Sequence, residues 1–291
     1  MVRVTKNFFK KILLEYFPDT LVTNFIVIQC IYFLKHRRFV NVFPPKTFNA
    51  WLCRENLFRK KFEKIAISDK EWVKYYVAEK IGVDHVVPTI FCSANLEELD
   101  VNQLPLRFVI KPTHASGYVW VVTRSDFDML LYLKKGSAWL KVNYFWAGRE
   151  WNYKYLTPKI IIEPFLSEDG ISWPIDYKFF VFNGKARLIQ VDLDRNTEHS
   201  RVFFDTKWQA LPFSLEYPLP SKDRVKLIPK PRILSEVILA VEKLAHQFKF
   251  LRVDVYIIGD RFFVGELTNT PGNGGEVFTP SEWDKRLYSW L

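Results

Sequence analysis

Apolar and polar positions alternate with a period of two along residues 251–258 and 262–267, and these runs flank Gly259-Asp260-Arg261. Gly-Asp between β-branched and aromatic runs predicts a hairpin. Its register decides the chemistry. A two-residue turn pairing Ile258 with Arg261 sets Asp254 opposite Gly265 and turns Glu266 to the face of Val253 and Val255. A three-residue loop over residues 259–261 sets Asp254 opposite Glu266 and Arg252 opposite Thr268, and gathers Val253, Val255, Ile257, Phe263 and Leu267 on the other face. A one-residue slip exchanges every side chain between faces, so burial of the apolar set selects the three-residue loop. Two carboxylates directly across a strand pair repel unless a cation lies between them. Oxygen donors from two acids suit magnesium, whereas a plain structural ion-pair network would explain the same residues without a ligand.

The same patterning organises the rest of the chain. Ser68-Asp69-Lys70-Glu71 matches a capping box and opens a helix that packs Trp72, Val73, Tyr76 and Val77 and stops at Gly82. Residues 86–91 read as extended. Residues 108–112 form a strand ending at Lys111-Pro112, followed by the loop Thr113-His114-Ala115-Ser116-Gly117 and a second strand over residues 118–123. Small and hydroxyl residues at such a turn can present backbone N–H groups to phosphate, with Lys111 as a point charge. Residues 159–165 read as a buried strand carrying Glu163 and Pro164. Residues 176–182 and 185–192 form a second hairpin about Asn183-Gly184, with Asp176, Lys178 and Phe180 on one face. After Pro231 an amphipathic helix runs to about Phe248 with Ile233, Val237, Val241, Leu244 and Phe248 on its core side.

Charge changes the picture at the N-terminal end. Residues 1–64 hold 13 Lys/Arg against 4 Asp/Glu, so nearly all of the net charge of +10 lies there. Basic runs at Lys10-Lys11, residues 35–38 and residues 59–61 alternate with Phe8, Phe9, Phe33, Phe39, Phe58 and Phe62. Such a pattern suits an anionic membrane surface or an acidic polymer, and no base-reading motif accompanies it to suggest nucleic acid. The most apolar stretch, residues 21–34, is 14 residues long and contains Thr23, Asn24 and Gln29, too short and too polar to cross a bilayer. No small-residue cleavage site follows it, which reads against a secretory signal. Three cysteines at positions without metal-ligand spacing, and five scattered histidines, fit a reducing, cytoplasmic setting.

The ordered set of Lys111 with its small-residue loop, Glu163, Asp176 and Lys178, Arg252-Val253-Asp254 and Glu266 before Pro271-Gly272 resembles the ATP-grasp superfamily. The strings PKTFNAWL, SDKEWVKYYVAEKIG, FVIKPTHASG, DYKFFVFNGK, RVDVY and GELTNTPGNGG are similar to its TupA-like branch, associated with bacterial surface-polysaccharide biosynthesis. The resemblance implies an α+β ATP-grasp fold over residues 68–291, with lobes at about 106–166 and 167–291 clasping ATP, after a basic, mainly helical region over residues 1–67. It implies that Lys111, Thr113, His114, Ser116 and Gly117 contact the phosphates, and that Glu163, Pro164, Phe165 and Leu166 form the adenine hinge. Asp176 would lie near the ribose, and Lys178 and Arg195 near the phosphates. Asp254 and Glu266 would hold magnesium, with Thr268, Asn269 through a bulge, or water as a third ligand. Lys111 and Arg252 would be catalytic, Arg252 answering the oxyanion. The implied reaction is ATP-dependent, ADP-forming amide synthesis through an acyl-phosphate, joining an amine such as an amino acid to a uronic acid of a surface polysaccharide or capsule precursor. A glycan kinase on the same fold, or a non-catalytic binder of anionic polymer or membrane, is the alternative. The protein would work in the cytoplasm, at the inner face of the membrane where its basic region engages lipid or glycan.

Overall fold

The computed structural model describes residues 17–58, 60–193, 200–218, 221, 225, 226 and 228–291. Arg195 and the basic aromatic stretch around Phe8 and Lys11 therefore lie outside the described residues. In chain order the helices are α1 (Leu21–His36), α2 (Phe48–Phe58), α3 (Phe62–Ala66), α4 (Lys70–Ile81), α5 (Met129–Leu140), α6 (Phe145–Gly148), α7 (Leu234–Ala245) and α8 (Glu282–Tyr288). The strands are β1 (Phe91–Ser93), β2 (Arg107–Pro112), β3 (Trp120–Thr123), β4 (Ile160–Pro164), β5 (Asp176–Phe182), β6 (Lys185–Leu193), β7 (Ser200–Phe204), β8 (Ser214–Leu215), β9 (Phe250–Ile258), β10 (Arg261–Thr268) and β11 (Phe278–Thr279). They build a four-stranded sheet in the order β1-β4-β2-β3 and a five-stranded sheet in the order β10-β9-β5-β6-β7, with β11-β8 as a short ladder. Every described pairing between these strands is antiparallel.

Both faces of the five-stranded sheet are covered, which is why all seven residues of β5 are buried. One face is apolar throughout. Tyr177, Phe179, Val181, Val253, Val255 and Leu267 pack there against Val237, Val241 and Leu244 of α7 and Val73 and Val77 of α4. The other face is split along its length. Phe180, Phe182 and Phe250 meet Phe48, Trp51 and Leu52 of α2 and Trp283 and Leu287 of α8, while Asp176, Lys178, Arg252 and Asp254 occupy the far end of the same face. Each fully buried phenylalanine there contributes roughly 1.5–3 kcal/mol of apolar burial. The aromatic half anchors the sheet, and the charged half is held by ion pairs.

The β9–β10 hairpin corrects the loop expected from the sequence. Arg261 pairs with Ile258, so the turn has two residues, with Gly259 at φ +58. A bulge then lies between Val264 and Glu266, and beyond it Glu266 pairs with Asp254, Leu267 with Val253 and Thr268 with Arg252. One inserted residue, Gly265, does what the third loop residue was expected to do. The face assignment shifts before the bulge: Phe262 and Val264 join the apolar core, and Phe263 pairs with Tyr256 on the opposite face. The helix cap is also displaced by one residue. Asp69, rather than Ser68, caps α4 by accepting from the N–H groups of Glu71 and Trp72, and the Ser68 hydroxyl donates to the Lys64 carbonyl at 2.8 Å.

Gly265 is required at the bulge because a Cβ there would lie 2.7 Å from the Tyr256 ring. Gly265→Ala is expected to destabilise the protein by about 1–3 kcal/mol in urea denaturation. In a Tyr256→Ala background the same substitution should cost less than about 0.5 kcal/mol, because the ring it meets is gone.

Candidate active site

Three antiparallel strands place one charged row across the sheet, Glu266 on β10 opposite Asp254 on β9 opposite Lys178 on β5. The Lys178 Nζ donates to Asp254 Oδ2 at 2.9 Å and to Asp176 Oδ2, and lies 3.8 Å from Asp192 Oδ2. From the next row Arg252 grips the same carboxylate with two N–H groups, Nε to Oδ1 at 2.6 Å and Nη2 to Oδ2 at 2.8 Å, and Nη2 also donates to Thr268 Oγ1 at 3.1 Å. Asp192, opposite Asp176, is held in turn by Gln190 at 2.8 Å and by Arg201 Nε at 3.1 Å, and Arg201 reaches Glu276 at 3.4 Å. The Glu266 side chain makes no hydrogen bond or ion pair among the described residues.

Burial pushes the Asp254 carboxyl upward, but Arg252 and Lys178 outweigh it and hold the group below the ordinary carboxylate range. Burial likewise disfavours the Arg252 charge, and Asp254 overrides that and keeps the guanidinium protonated. Glu276 is moved up by burial against the pull of Arg201 and Arg252. Glu150, from the segment after α6, is pushed up to about 7 by burial and by Glu266, against a hydrogen bond from Thr270 at 2.9 Å and the charge of Arg252. Tyr144 and Tyr153 stand in the same electrostatic cluster, each raised first by burial.

On the other sheet the Lys111 Nζ lies 2.6 Å from Glu163 Oε2, and Lys74 of α4 lies 2.6 Å from the second oxygen of the same carboxylate. Burial raises the Glu163 carboxyl, and the two ammonium groups bring it below its ordinary value. Half-buried Lys70 links the two sheets. Desolvation lowers its pKa, and it feels Glu266 from one sheet and Lys111 from the other. Its ammonium donates to the Ala115 carbonyl at 2.6 Å and so pins the loop over residues 113–117.

Within that loop the expected ligand contacts divide. Thr113 and His114 are buried, the Thr113 N–H donates to the Lys159 carbonyl at 3.0 Å, and His114 Nε2 sits 3.2 Å from the Trp139 carbonyl, whereas half-buried Ser116 and exposed Gly117 face outward. Pro164, Phe165 and Leu166 are half-buried at the end of β4, where the Arg107 guanidinium lies 3.9 Å from the centre of the Phe165 ring. Thr268 remains with Arg252. Asn269 turns away from the acids and donates to the Lys64 carbonyl at 3.2 Å, as strand alternation requires in the absence of a bulge at that point. No group of three or more His, Cys, Asp or Glu side chains with metal-binding geometry occurs among the described residues, so any cation here would rest on the Asp254–Glu266 pair with hydroxyl or non-protein oxygens.

Glu150, Tyr144, Tyr153, Lys74 and Lys70 carry no motif that would single them out in the sequence. Asp192 has a signal, its position on the strand opposite Asp176. A simple count from the Asn183-Gly184 turn misses the pairing by one residue because β6 carries a bulge of its own, Phe180 pairing with Leu188 and Val181 with Ala186.

Two antiparallel sheets, one carrying a lysine and a small-residue loop and the other a row of acids with an arginine fork, define the ATP-grasp fold. The chain belongs to the TupA-like ATP-grasp family, whose profile matches residues 50–290. Among solved structures it is similar to a D-alanine–D-alanine ligase from Bacillus anthracis at 16% identity and TM-score 0.40, over 70% of this chain and 57% of that one. It is also similar to the Helicobacter pylori D-alanine–D-alanine ligase at 14% identity and TM-score 0.43, over 84% and 67% of the two chains. The ATP-grasp ligase PsnB with its minimal precursor overlaps at 11% identity and TM-score 0.42, over 81% of this chain and 62% of that one. The chain thus spans less than two thirds of the length of the Bacillus enzyme. No curated protein gives a significant match.

The Lys111–Glu163–Lys74 triad yields a pH-dependent prediction. A carboxyl whose folded pKa is depressed contributes stability above its unfolded value and loses it as the pH falls through the folded one. Glu163→Gln should therefore cost about 3–5 kcal/mol near neutrality, since it takes the carboxylate from two half-buried ammonium groups. In urea titrations the gap from wild type should close as the pH drops below about 4.3.

Proposed function

We propose that this chain is an ATP-dependent, ADP-forming carboxylate–amine ligase that makes an amide through an acyl-phosphate. The row of Glu266, Asp254 and Lys178 under the Arg252 fork carries the reading. The donor set suits magnesium and a triphosphate: hard oxygens on Asp254, Glu266 and Thr268, one of those acids without a partner among the described residues, and three cations, Lys111, Lys178 and Arg252, nearby. In this reading Asp254, Glu266 and Thr268 hold the metal, Lys111, Lys178, Ser116 and Gly117 the phosphates, and residues 163–166 the adenine. Bound there, magnesium and ATP supply the phosphoryl group and neutralise its charge. Arg252, fixed in a planar grip, stabilises the oxyanion formed when the amine attacks. Glu150, poised between its two protonation states at neutral pH, takes the proton that the attacking amine sheds. Family membership supports a uronic acid of a surface polysaccharide as the carboxylate and an amino acid as the amine.

The test crosses uronic acids with amino acids and reads ATP consumption and product mass. A ligase gives a product equal to the two substrates less one water, with free phosphate. A kinase retains phosphate on the product and ends the proposal. Glu266→Gln should lower turnover by about 100-fold or more while leaving the melting temperature unchanged, because no described partner is lost.

A second element of the proposal is attachment to an anionic membrane surface, supported by the exposed side of α1. Val22 and Leu21 are 67% and 52% exposed, and Phe25, Ile26, Phe33 and Leu34 continue the stripe, while Asn24, Val27, Ile28 and Tyr32 are buried on the other side. Lys35, Arg37 and Arg38 end the helix, and Phe39 beyond them is 69% exposed. Among the described residues no helix is long and apolar enough to cross a membrane. Apolar residues rimmed by basic ones suit the interfacial plane of a bilayer. Val22→Asp with Phe25→Asp should lower co-flotation with phosphatidylglycerol vesicles by about tenfold or more. Unchanged flotation would remove the membrane element and leave the ligase reading intact.

A further inference from the structure

Glu150 sits on a sharp corner of the chain. α6 ends at Gly148, Arg149 takes the left-handed conformation at φ +60 with its N–H on the Phe145 carbonyl at 2.6 Å, and a short helical turn over Trp151–Tyr153 starts directly after Glu150. A residue with a side chain keeps that conformation where its surroundings hold it. The loop after β10 supplies part of the hold. Asn273 donates to the Gly148 carbonyl and accepts from Asn56 at 2.9 Å, and Thr270 donates to the Glu150 carboxylate at 2.9 Å. Asn152, two residues on, donates to the Ser68 hydroxyl at 2.6 Å.

The Arg149 side chain, 2% exposed, engages a different part of the chain. Its Nη2 donates to the Phe17 carbonyl at 2.7 Å, and its Nη1 donates to Asn24 Oδ1 at 3.1 Å and to the Pro18 carbonyl at 3.3 Å. The guanidinium also lies 4.6 Å from the centre of the Trp146 ring. Asn24 in turn donates to Asp19 at 2.6 Å, and Lys154 pairs with the same carboxylate. Residues 17–24 are the entry into α1 and its first turn, and they precede the span that the family profile matches. A buried guanidinium is tolerated where its donors are met, and a planar fork meets several acceptors at once where an ammonium on a flexible stem would not.

We infer that Arg149 is a positioning residue: by seating the entry into α1 on the corner at residues 148–150, it fixes the place of the Glu150 side chain in the cleft. The inference rests on the proposed reading of Glu150 as the proton acceptor. The groups that face Glu150 come from other elements: Glu266 from β10, Arg252 from β9, Thr270 from the loop beyond, and Tyr144 and Tyr153 from either side of the corner. A corner that shifts therefore carries Glu150 relative to Glu266, Arg252 and Thr270, and residues 17–24 become part of how the cleft is built.

Carbon-13 NMR of the whole chain, labelled at the glutamate carboxyls and free of magnesium and nucleotide, tests this by reading the protonation midpoint of Glu150, with Glu150→Gln identifying its resonance. The wild-type midpoint is expected at about 7. Arg149→Met should lower it by about one pH unit or more, because a loosened corner admits water and relieves the burial that raises it. Arg149→Lys, which keeps the charge and loses the fork, should fall between the two. Asn24→Leu removes an acceptor that hydrogen-bonds to the arginine and not to Glu150, so it should lower the midpoint by itself and add nothing in the Arg149→Met background. Each variant is read below its own melting temperature; should Arg149→Met fail to fold, Arg149→Lys and Asn24→Leu carry the same test. An arginine with a purely structural role would lower the melting temperature and leave the midpoint at its wild-type value. That result, or full additivity of Asn24→Leu with Arg149→Met, overturns the inference. A wild-type midpoint in the ordinary carboxylate range instead ends the reading of Glu150 as proton acceptor, and it is seen before any arginine variant is measured.

Discussion

Asp254 is a carboxylate buried in the middle of a sheet, and the fold around it is arranged so that it never lacks a countercharge. Lys178 meets it from the strand on one side, and Arg252 folds over it from two residues earlier on its own strand. Removing one partner from such a buried pair costs about 3–5 kcal/mol, whereas replacing the group with packed apolar residues is often neutral or better. Stability alone therefore gives no reason to keep a carboxylate here. In the proposed reading the charges are a set prepared to exchange partners, in which Lys178 and Arg252 hold Asp254 until phosphate oxygens compete for them.

The same constraint explains the two bulges. Tight two-residue turns at Gly184 and Gly259 would, by simple counting, put each acid one residue out of step with its neighbour. An inserted residue in β10, at Gly265, and another in β6, at Arg187, restore step: Glu266 comes opposite Asp254, and Asp192 comes opposite Asp176. Bulges also bend and twist the strands that carry them. The aromatic half of that face supplies the rigidity. Phe48 stacks edge-on against Phe250 with centroids 4.8 Å apart, and Phe182 meets Phe250 at 5.0 Å, so the charged half extends from a packed block and not from mobile loops.

Sequence patterning revealed the strands, the amphipathic helix of α7 and the partners of Asp254 and Arg252, because period-two burial leaves a residue only one permitted face. It attributed the register to a longer loop, since a bulge leaves no mark in periodicity other than a glycine, and Gly265 reads equally well as an ordinary strand residue. Phe263 was misassigned for that reason. The helix start at Asp69 was displaced by one because Ser68 and Asp69 are both capping residues, and only the Ser68 bond to Lys64 distinguishes them. Glu150 and Lys70 were out of reach for a different reason. Their importance comes from distant elements meeting in space, and neither periodicity nor spacing carries that information.

Glu150 and Glu163 carry opposite perturbations. Glu163 is ionised under two lysines and stabilises the fold above the carboxylate range, so it belongs to the architecture that holds β2, β4 and α4 together. Glu150 has the reverse sign: a carboxyl raised to about 7 favours the folded state when protonated and loses that contribution as the pH climbs through neutrality. A protein pays for such a group at its working pH. Its neighbours are Glu266, Arg252, Thr270 and Tyr144, which are groups of the proposed cleft. Since strain of this kind is retained where proton transfer needs it, the sign of its linkage separates the proposed role of Glu150 from the structural one of Glu163.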